Sequence, residues 1–300
     1  DADTVDMGQA FEAKGYSLNP TVQNMYLGMK EDFKSEAVLP WGVTTYYRAT
    51  SPAIGGTFTS LEPSQEKLDK AEPTWKDSMN DYNVMIVTIA RAAGENTNYT
   101  PGEEGVNPEQ NLNQADPLGL SDTERATIDA AVKAKEQNGG KVIVLLNNAS
   151  AMEIDELKNN DGIDAMLEVG IPGGYGFYGV ADVLSGDANP SGHLADTYAV
   201  DNSASPAAQN YGDYEWTNAD SDYSINSEIV EAESIYTGYK YYETRYADTV
   251  LGQGNASDSV GSSTGGAWTY DSEVSYPFGY GLSYTTFTQT LDSLNVDLEK

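Results

Sequence analysis

Three hundred residues suffice for one large domain or two modest ones. Lys and Arg number 16 against 47 Asp and Glu, and the resulting net charge of −31 argues against nucleic acid and anionic lipid as partners while suiting solubility and a neutral or cationic substrate. The lack of Cys excludes disulfides, thiolate catalysis and Cys-ligated zinc, and the single histidine, His193, would have to serve any Ser-His-Asp triad alone.

The opening DADTVDMGQ has neither the basic nor the apolar region of a signal peptide. No run approaches the roughly 18 apolar residues of a membrane span, so membrane contact is expected only through segments outside this chain. Residues 1–80 predict helices at Phe11–Gly15 and Thr21–Lys30, around Asn19-Pro20. From Glu31 to Trp75, Pro40, Pro52, Gly55-Gly56, Pro63 and Pro73 break the pattern, which predicts extended loop with a helix at Ser64–Lys70. This N-terminal segment is expected to pack on the following domain or belong to it.

Asn83–Ile89 carries apolar residues on both parities, the mark of a strand buried on both faces. Arg91 to Gly119 shows no periodicity. Loops longer than ~12–15 residues tend to be functional or disordered, and this one leaves the C-terminal end of a buried strand, where open α/β sheets place ligands. Ser121-Asp-Thr-Glu124 is a capping box, with Ile128, Ala131, Val132 and Lys135 on one helical face and Asn138-Gly139 as the stop. Val142–Leu146 predicts a second buried strand, Met152–Lys158 a short helix and Ile163–Val169 a third strand. Pro172-Gly173-Gly174 reads as a turn and Phe177–Leu184 as a helix ended by Gly186 and Asn189-Pro190. Alternating strands and helices predict an α/β fold, a mostly parallel sheet sandwiched by helices. There are too few strand–helix units for a (β/α)8 barrel. Leu194–Val200 is expected as an edge strand, Ile235–Tyr242 as an extended segment, and 251–272, rich in Gly, Ser, Asn and Asp, as a flexible insertion. The closing TQTLDSLNVDLEK reads as the first strand of a further domain.

The carboxylates of the long loop are Glu95, Glu103, Glu104, Glu109 and Asp116. Gly94 lets the backbone turn so that Glu95 can face a partner domain, but composition does not choose among the five. Gly174-Tyr-Gly176-Phe-Tyr-Gly179 matches G-x-G-x-x-G formally. No second strand ending in an acid follows about 20 residues on, so the glycines read better as allowing close packing of helix on sheet than as a nucleotide cradle. His193 reads as a packing or turn-capping residue. Asp1, Asp3 and Asp6 lack the later ligands of a calcium loop. Tyr99, inside the long loop, is the tyrosine singled out as a substrate contact. Asn98, Asn148 and Asn255 head glycosylation sequons.

ADVLSGDANPSGHL, GYKYYETRY and YPFGYGLSYTTF at Tyr276–Phe287, taken together, resemble the α/β sandwich domain of glycoside hydrolase family 3. The resemblance runs from near Asn83 to Phe287. In that family the first strand leads into S-R-x-x-G-E-G-x-D, whose Glu is the general acid/base. Here the chain reads A-R-A-A-G-E-N-T-N: Arg91, Gly94 and Glu95 match, while Ala90, Asn96 and Asn98 depart. The resemblance therefore implies Glu95 as the acid/base; Arg91, with Tyr99, is taken as a substrate-binding residue. It implies a retaining hydrolase of terminal β-linked glucosides or related sugars that needs no cofactor or metal. The nucleophilic Asp would lie on a (β/α)8 barrel joined in cis or in trans, the residues from 288 onward would begin a fibronectin-III-like domain, and the setting would be extracellular or cell-surface, with cytoplasm the alternative. Two other readings stay open at this level: a non-catalytic carbohydrate-binding module, and a dinucleotide-dependent enzyme.

Overall fold

The computed structural model describes residues 4–29, 62–91, 116–212, 214–217 and 227–296, and the backbone alone for 34–39 and 42–47. The chain opens with helices α1 (Met7–Ala13) and α2 (Pro20–Gly28). Asp6, one of the three early aspartates, is the N-cap of α1. It accepts from the Gln9 N–H at 2.8 Å, and the Gln9 side chain accepts from the Asp6 N–H at 3.0 Å, a reciprocal capping box. Asn19 caps α2 just ahead of Pro20.

The expected loop at 31–75 contains more structure than its prolines suggest. Strands β1 (Lys34–Leu39) and β2 (Gly42–Tyr47) pair as an antiparallel hairpin. The β-branched and aromatic run of β2 is the signal that favours this pairing. Helix α3 (Gln65–Ala71) follows as expected, and then a short α4 (Trp75–Ser78).

The core is a parallel sheet. β3 (Val84–Arg91) pairs with β4 (Lys141–Asn148), which pairs with β5 (Ala165–Glu168), in the order β3-β4-β5. These are the three apolar runs predicted as strands of a mostly parallel sheet. Met85 sits opposite Val142 and Val87 opposite Val144, so these residues share one face, while Ile86 and Ile143 point to the other. The crossover helix α5 (Asp122–Asn138) lays Ile128, Ala131 and Ala134 on the first face. On the second, Ile86 meets Ala10 and Phe11 of α1 and Ala181 of α7 (Phe177–Ser185). The result is three layers, helix on sheet on helix, and no barrel closes among the described residues. The short α6 (Asp155–Lys158) lies between β4 and β5.

The joints follow from sequence. Ser121 and Glu124 make the expected capping box at the start of α5, and Gly139 ends it at φ +72°, a conformation that suits glycine. A Cβ on the next residue, Gly140, would lie 2.7 Å from the Asn83 carbonyl oxygen. The Gly-Gly pair therefore lets α5 turn into β4 directly beside β3.

The C-terminal third departs from expectation in two places. Only Tyr198–Ala199 (β6) of the expected edge strand is extended. It pairs antiparallel with β9 (Val274–Tyr276), in a separate two-stranded sheet and not on the edge of the parallel one. Between them come α8 (Pro206–Asn210), the small ladder of β7 (Tyr214–Glu215) with β8 (Ser227–Glu228), α9 (Tyr239–Leu251) and α10 (Tyr270–Glu273). The aromatic run expected as extended at 235–242 is thus a turn leading into helix α9. Tyr242 is buried against Trp268 and Val274, with Tyr241 packed beside it. Tertiary packing overrides the strand preference of tyrosine there. Residues 252–268 have no helix or strand and wind as turns around Arg245. Arg245 donates from Nε to the Ala256 carbonyl at 2.8 Å, and its guanidinium carbon lies 4.8 Å from the Trp268 ring centroid. Residues 285–296 carry no regular element and leave Phe287, Leu291, Leu294 and Val296 exposed.

Candidate active site

The parallel strands end together. Arg91 is in register with Asn148, and Leu146 with Glu168, so the C-terminal edge gathers the ends of all three strands. Glu95 and Tyr99 lie outside the described residues, as do Glu103, Glu104 and Glu109. The structure does define the two ends of the segment that holds them.

Arg91 forms that base. Its side chain is buried, as is that of Glu124. Nη1 and Nη2 donate to Glu124 Oε1 and Oε2 at 2.6 and 2.9 Å. Nε donates to the Pro117 carbonyl at 2.6 Å, Nη2 also to that of Gly119 at 2.6 Å, and Nη1 to that of Ala90 at 2.8 Å. A guanidinium has five donors, and these bonds use them all. The substrate contact expected of Arg91 is therefore not available in this geometry; the residue joins the end of β3 to the chain entering α5. Glu124 is shared, because its Oε2 also accepts from the Ser121 N–H at 2.8 Å. The capping box was visible in the sequence. Its link to a residue 33 positions upstream had no local signal.

A second acidic group stands beside this base. The Glu153 N–H donates to the Leu118 carbonyl at 3.0 Å, and Glu153 Oε1 accepts from the Asn202 N–H at 2.6 Å. Burial pushes the Glu153 carboxyl up to about 8. A hydrogen bond to Asp116 adds to this, as does the charge of Asp201, and the Asn202 N–H works against it. The folded value lies above the ordinary 4.5. The folded chain therefore keeps a proton that the unfolded chain has released. The stability gained is complete below about 4.5, declines as the pH rises, and is gone above about 8. Glu153→Gln is expected to flatten the fall of Tm between pH 5 and 8.5 and to melt several degrees above wild type at the alkaline end. Part of the slope should remain with Glu62, which burial raises to about 7 against hydrogen bonds from Thr127 and Tyr26. An unchanged slope in Glu153→Gln, measured by thermal melts across that range, would contradict the assignment.

At the end of β5, Glu168 accepts from the Tyr198 hydroxyl at 2.7 Å and from the Gly170 N–H at 2.7 Å, and burial raises its pKa. A groove of 1370 Å³ runs along β5 between α7, residues 189–198 and Tyr276–Tyr284. Asn148 and Glu168 line it; Arg91 and Glu153 do not. His193 lies exposed on its wall with its ring against Gly281, the packing role expected of it. The G-x-G-x-x-G glycines serve a turn. A Cβ at Gly176 would overlap the Pro172 carbonyl, while one at Gly179 would meet nothing within 4 Å. Gly176 is thus needed to close the turn into α7, not for the helix-on-sheet contact the sequence suggested. Among the described residues no group of three His, Asp or Glu is placed to hold a metal. Of the sequons, Asn148 is buried and Asn255 exposed.

A parallel sheet between helical layers, with a long segment stapled at its C-terminal edge, defines the class: an α/β sandwich domain. Residues 2–284 match the model of the glycosyl hydrolase family 3 C-terminal domain, and the chain belongs to that family. The match begins well upstream of Asn83, so helices α1 to α4 fall within the family domain. The chain is 33% identical over 156 residues to beta-glucosidase A of Butyrivibrio fibrisolvens and 28% over 255 residues to a beta-glucosidase of Ruminococcus albus. These stretches are 52% and 84% of this chain but 15% and 21% of those proteins. The fold matches beta-glucosidase 3B of Thermotoga neapolitana, solved with alpha-D-glucose, at a TM-score of 0.57 and 26% identity, covering 94% of this chain and 31% of that one. The chain thus spans less than a third of the length of each of these relatives.

Proposed function

We propose that this chain is the acid/base-bearing domain of a retaining glycoside hydrolase acting on terminal β-linked glucosides or related β-glycosides. The observation that carries the reading is the match of the Arg91, Gly94 and Glu95 pattern at the end of a strand within a family domain whose named relatives include beta-glucosidases. Glu95 protonates the departing glycosidic oxygen while a carboxylate on the opposite side attacks the anomeric carbon. Glu95 then takes a proton from the water that hydrolyses the glycosyl-enzyme. Retention requires the two carboxyl groups ~5–5.5 Å apart. The attacking aspartate is supplied by a (β/α)8 barrel, in cis or in trans, so the active site is divided between two folding units. A neutral sugar suits the net charge of −31, which excludes no such substrate.

The test compares two preparations on an aryl β-glucoside. The complete protein should release β-glucose first, as followed by NMR of the anomeric proton. The isolated 300-residue chain should turn over no substrate. Robust hydrolysis by the isolated chain, or an inverted first product from the complete protein, would refute the reading.

A further inference from the structure

We propose that the groove along β5 is a binding site for a β-linked gluco-oligosaccharide, with Asn148 and Thr197 as its polar anchors. The place of the site stands on the groove itself; the choice of glucose units rests on the β-glycoside reading given above. Asn148 ends β4, Thr197 directly precedes β6, and both line the groove. The two residues are 3% and 4% exposed. Asn148 Nδ2 and Thr197 Oγ1 are nonetheless without a hydrogen-bond partner among the described residues. Buried polar groups are normally paired, because an unmade bond forfeits the hydration the group had in water. Two such groups on the wall of one groove point to an occupant that supplies the partners. A turn about the terminal side-chain bond presents each of them to it. The amide needs an acceptor, and the hydroxyl takes either kind of partner.

The rest of the wall suits a sugar. A Cβ on Gly170 would lie 3.9 Å from Glu168 Oε1 and 4.0 Å from the Asn148 carbonyl oxygen, so the ends of β4 and β5 meet here. Glu168 accepts one hydrogen bond on each oxygen, from Gly170 and from Tyr198. A carboxylate has about four acceptor positions, so lone pairs remain for ligand hydroxyls. On the wall formed by Tyr276–Tyr284, the Tyr276 and Tyr280 rings lie 4.8 Å apart, and Tyr280 and Tyr284 are 38% and 71% exposed. An aromatic face with a polar tip matches the C–H face and hydroxyl rim of a pyranose. The net charge of −31 disfavours an anionic occupant. The groove volume of 1370 Å³ exceeds the roughly 300–1,000 Å³ of a pocket for one small molecule, so a chain of several rings fits it better than one. The groove also follows the edge of the sheet, since β5 is the last strand in the order β3-β4-β5. An added peptide strand would gain few main-chain bonds there, because β5 has four residues.

The experiment is hydrogen exchange, read by mass spectrometry, on the complete protein. The probe is a β-linked glucose tetramer in which sulfur replaces each linking oxygen to prevent hydrolysis. Peptides covering β5 and residues 189–198 should exchange about tenfold more slowly at ten times the Kd, with Kd taken from the concentration dependence of the protection. Thr197→Val and Asn148→Leu should each weaken the tetramer about 3- to 10-fold. Thr197→Ser keeps the hydroxyl and should bind as wild type. Both weakening variants remove a group that has no partner in the free protein, so neither should lower Tm, as loss of a structural contact would. No protection of these peptides by the tetramer in the wild type overturns the inference, as does equal affinity in Thr197→Val and Asn148→Leu. Protection by an extended peptide and none by the tetramer overturns it in favour of strand addition. The wild-type comparison decides by itself should either variant fail to fold. Hydrolysis of an aryl β-glucoside by the same preparation reads the catalytic assignment separately. Protection without hydrolysis refutes only the hydrolase reading, and hydrolysis without protection refutes only the groove site.

Discussion

Glu95→Gln in the complete enzyme should reduce disaccharide hydrolysis by ~10²–10⁴-fold, the usual worth of a positioned proton donor. The size of the loss depends on the leaving group. A sugar alkoxide departs slowly unless protonated, whereas a dinitrophenolate is stable as an anion. The activated substrate should therefore glycosylate the enzyme at close to the wild-type rate. It should then stall, because glutamine cannot take a proton from the incoming water. Azide needs no deprotonation, so it should restore turnover and leave a β-glycosyl azide. Glu103→Gln and Glu109→Gln share the segment and its charge and serve as controls. Azide rescue in either control, with Glu95→Gln behaving as wild type, would move the acid/base to another carboxylate of the same segment.

Glu124→Leu should destabilise the fold strongly. The side chains of Arg91 and Glu124 are 0% and 3% exposed. Removing the carboxylate takes from a buried guanidinium its ion-pair partner among the described residues, which typically costs ~3–5 kcal/mol. The variant also removes the acceptor for the Ser121 N–H and so weakens the start of α5. In domains of 150–250 residues each kcal/mol shifts Tm by roughly 2–4 °C, so a fall of about 10 °C is expected in a thermal melt. Arg91→Met combined with Glu124→Leu should regain part of that loss, since a buried ion pair replaced by apolar groups of similar volume is often neutral. Recovery should be incomplete because the Arg91 hydrogen bonds to the Pro117 and Gly119 carbonyls are lost. A double variant less stable than Glu124→Leu alone would show that the carbonyl contacts, and not the lone charge, dominate.

What could be read from the sequence was whatever has a local cause. The strands β3, β4 and β5 are short apolar runs. Helix α5 has a capping box and a glycine stop, and α7 ends at Gly186 in the left-handed region. Helix α9 was not readable, because its tyrosines favour a strand and only burial of Tyr242 near Trp268 decides the matter. The hairpin of β1 and β2 was hidden by the prolines around it. At the site, Ser121 and Glu124 were recognised as a cap, but pairing of Glu124 with Arg91 is set by the crossover from β3 to α5, which no pattern of neighbouring residues encodes. The raised pKa of Glu153 likewise depends on chain segments at 116 and 201–202 meeting β4's exit. Glu95 was selected by family resemblance and not by any physical signal of its own.

One guanidinium joins the last residue of β3 to the Pro117 and Gly119 carbonyls, so the two ends of the segment 92–115 are held together by side-chain hydrogen bonds from Arg91. For a flexible loop, doubling the length adds only about 0.6 kcal/mol of closure entropy. By that term alone, insertions between residues 92 and 115 are expected to add little closure cost so long as Arg91, Glu124 and the two carbonyls persist. In evolutionary terms, selection on the length of the segment and selection on the scaffold that anchors it are then separable. A library of insertions within those bounds should keep Gly94 and Glu95 as well as the four anchor points, and its members should melt close to wild type.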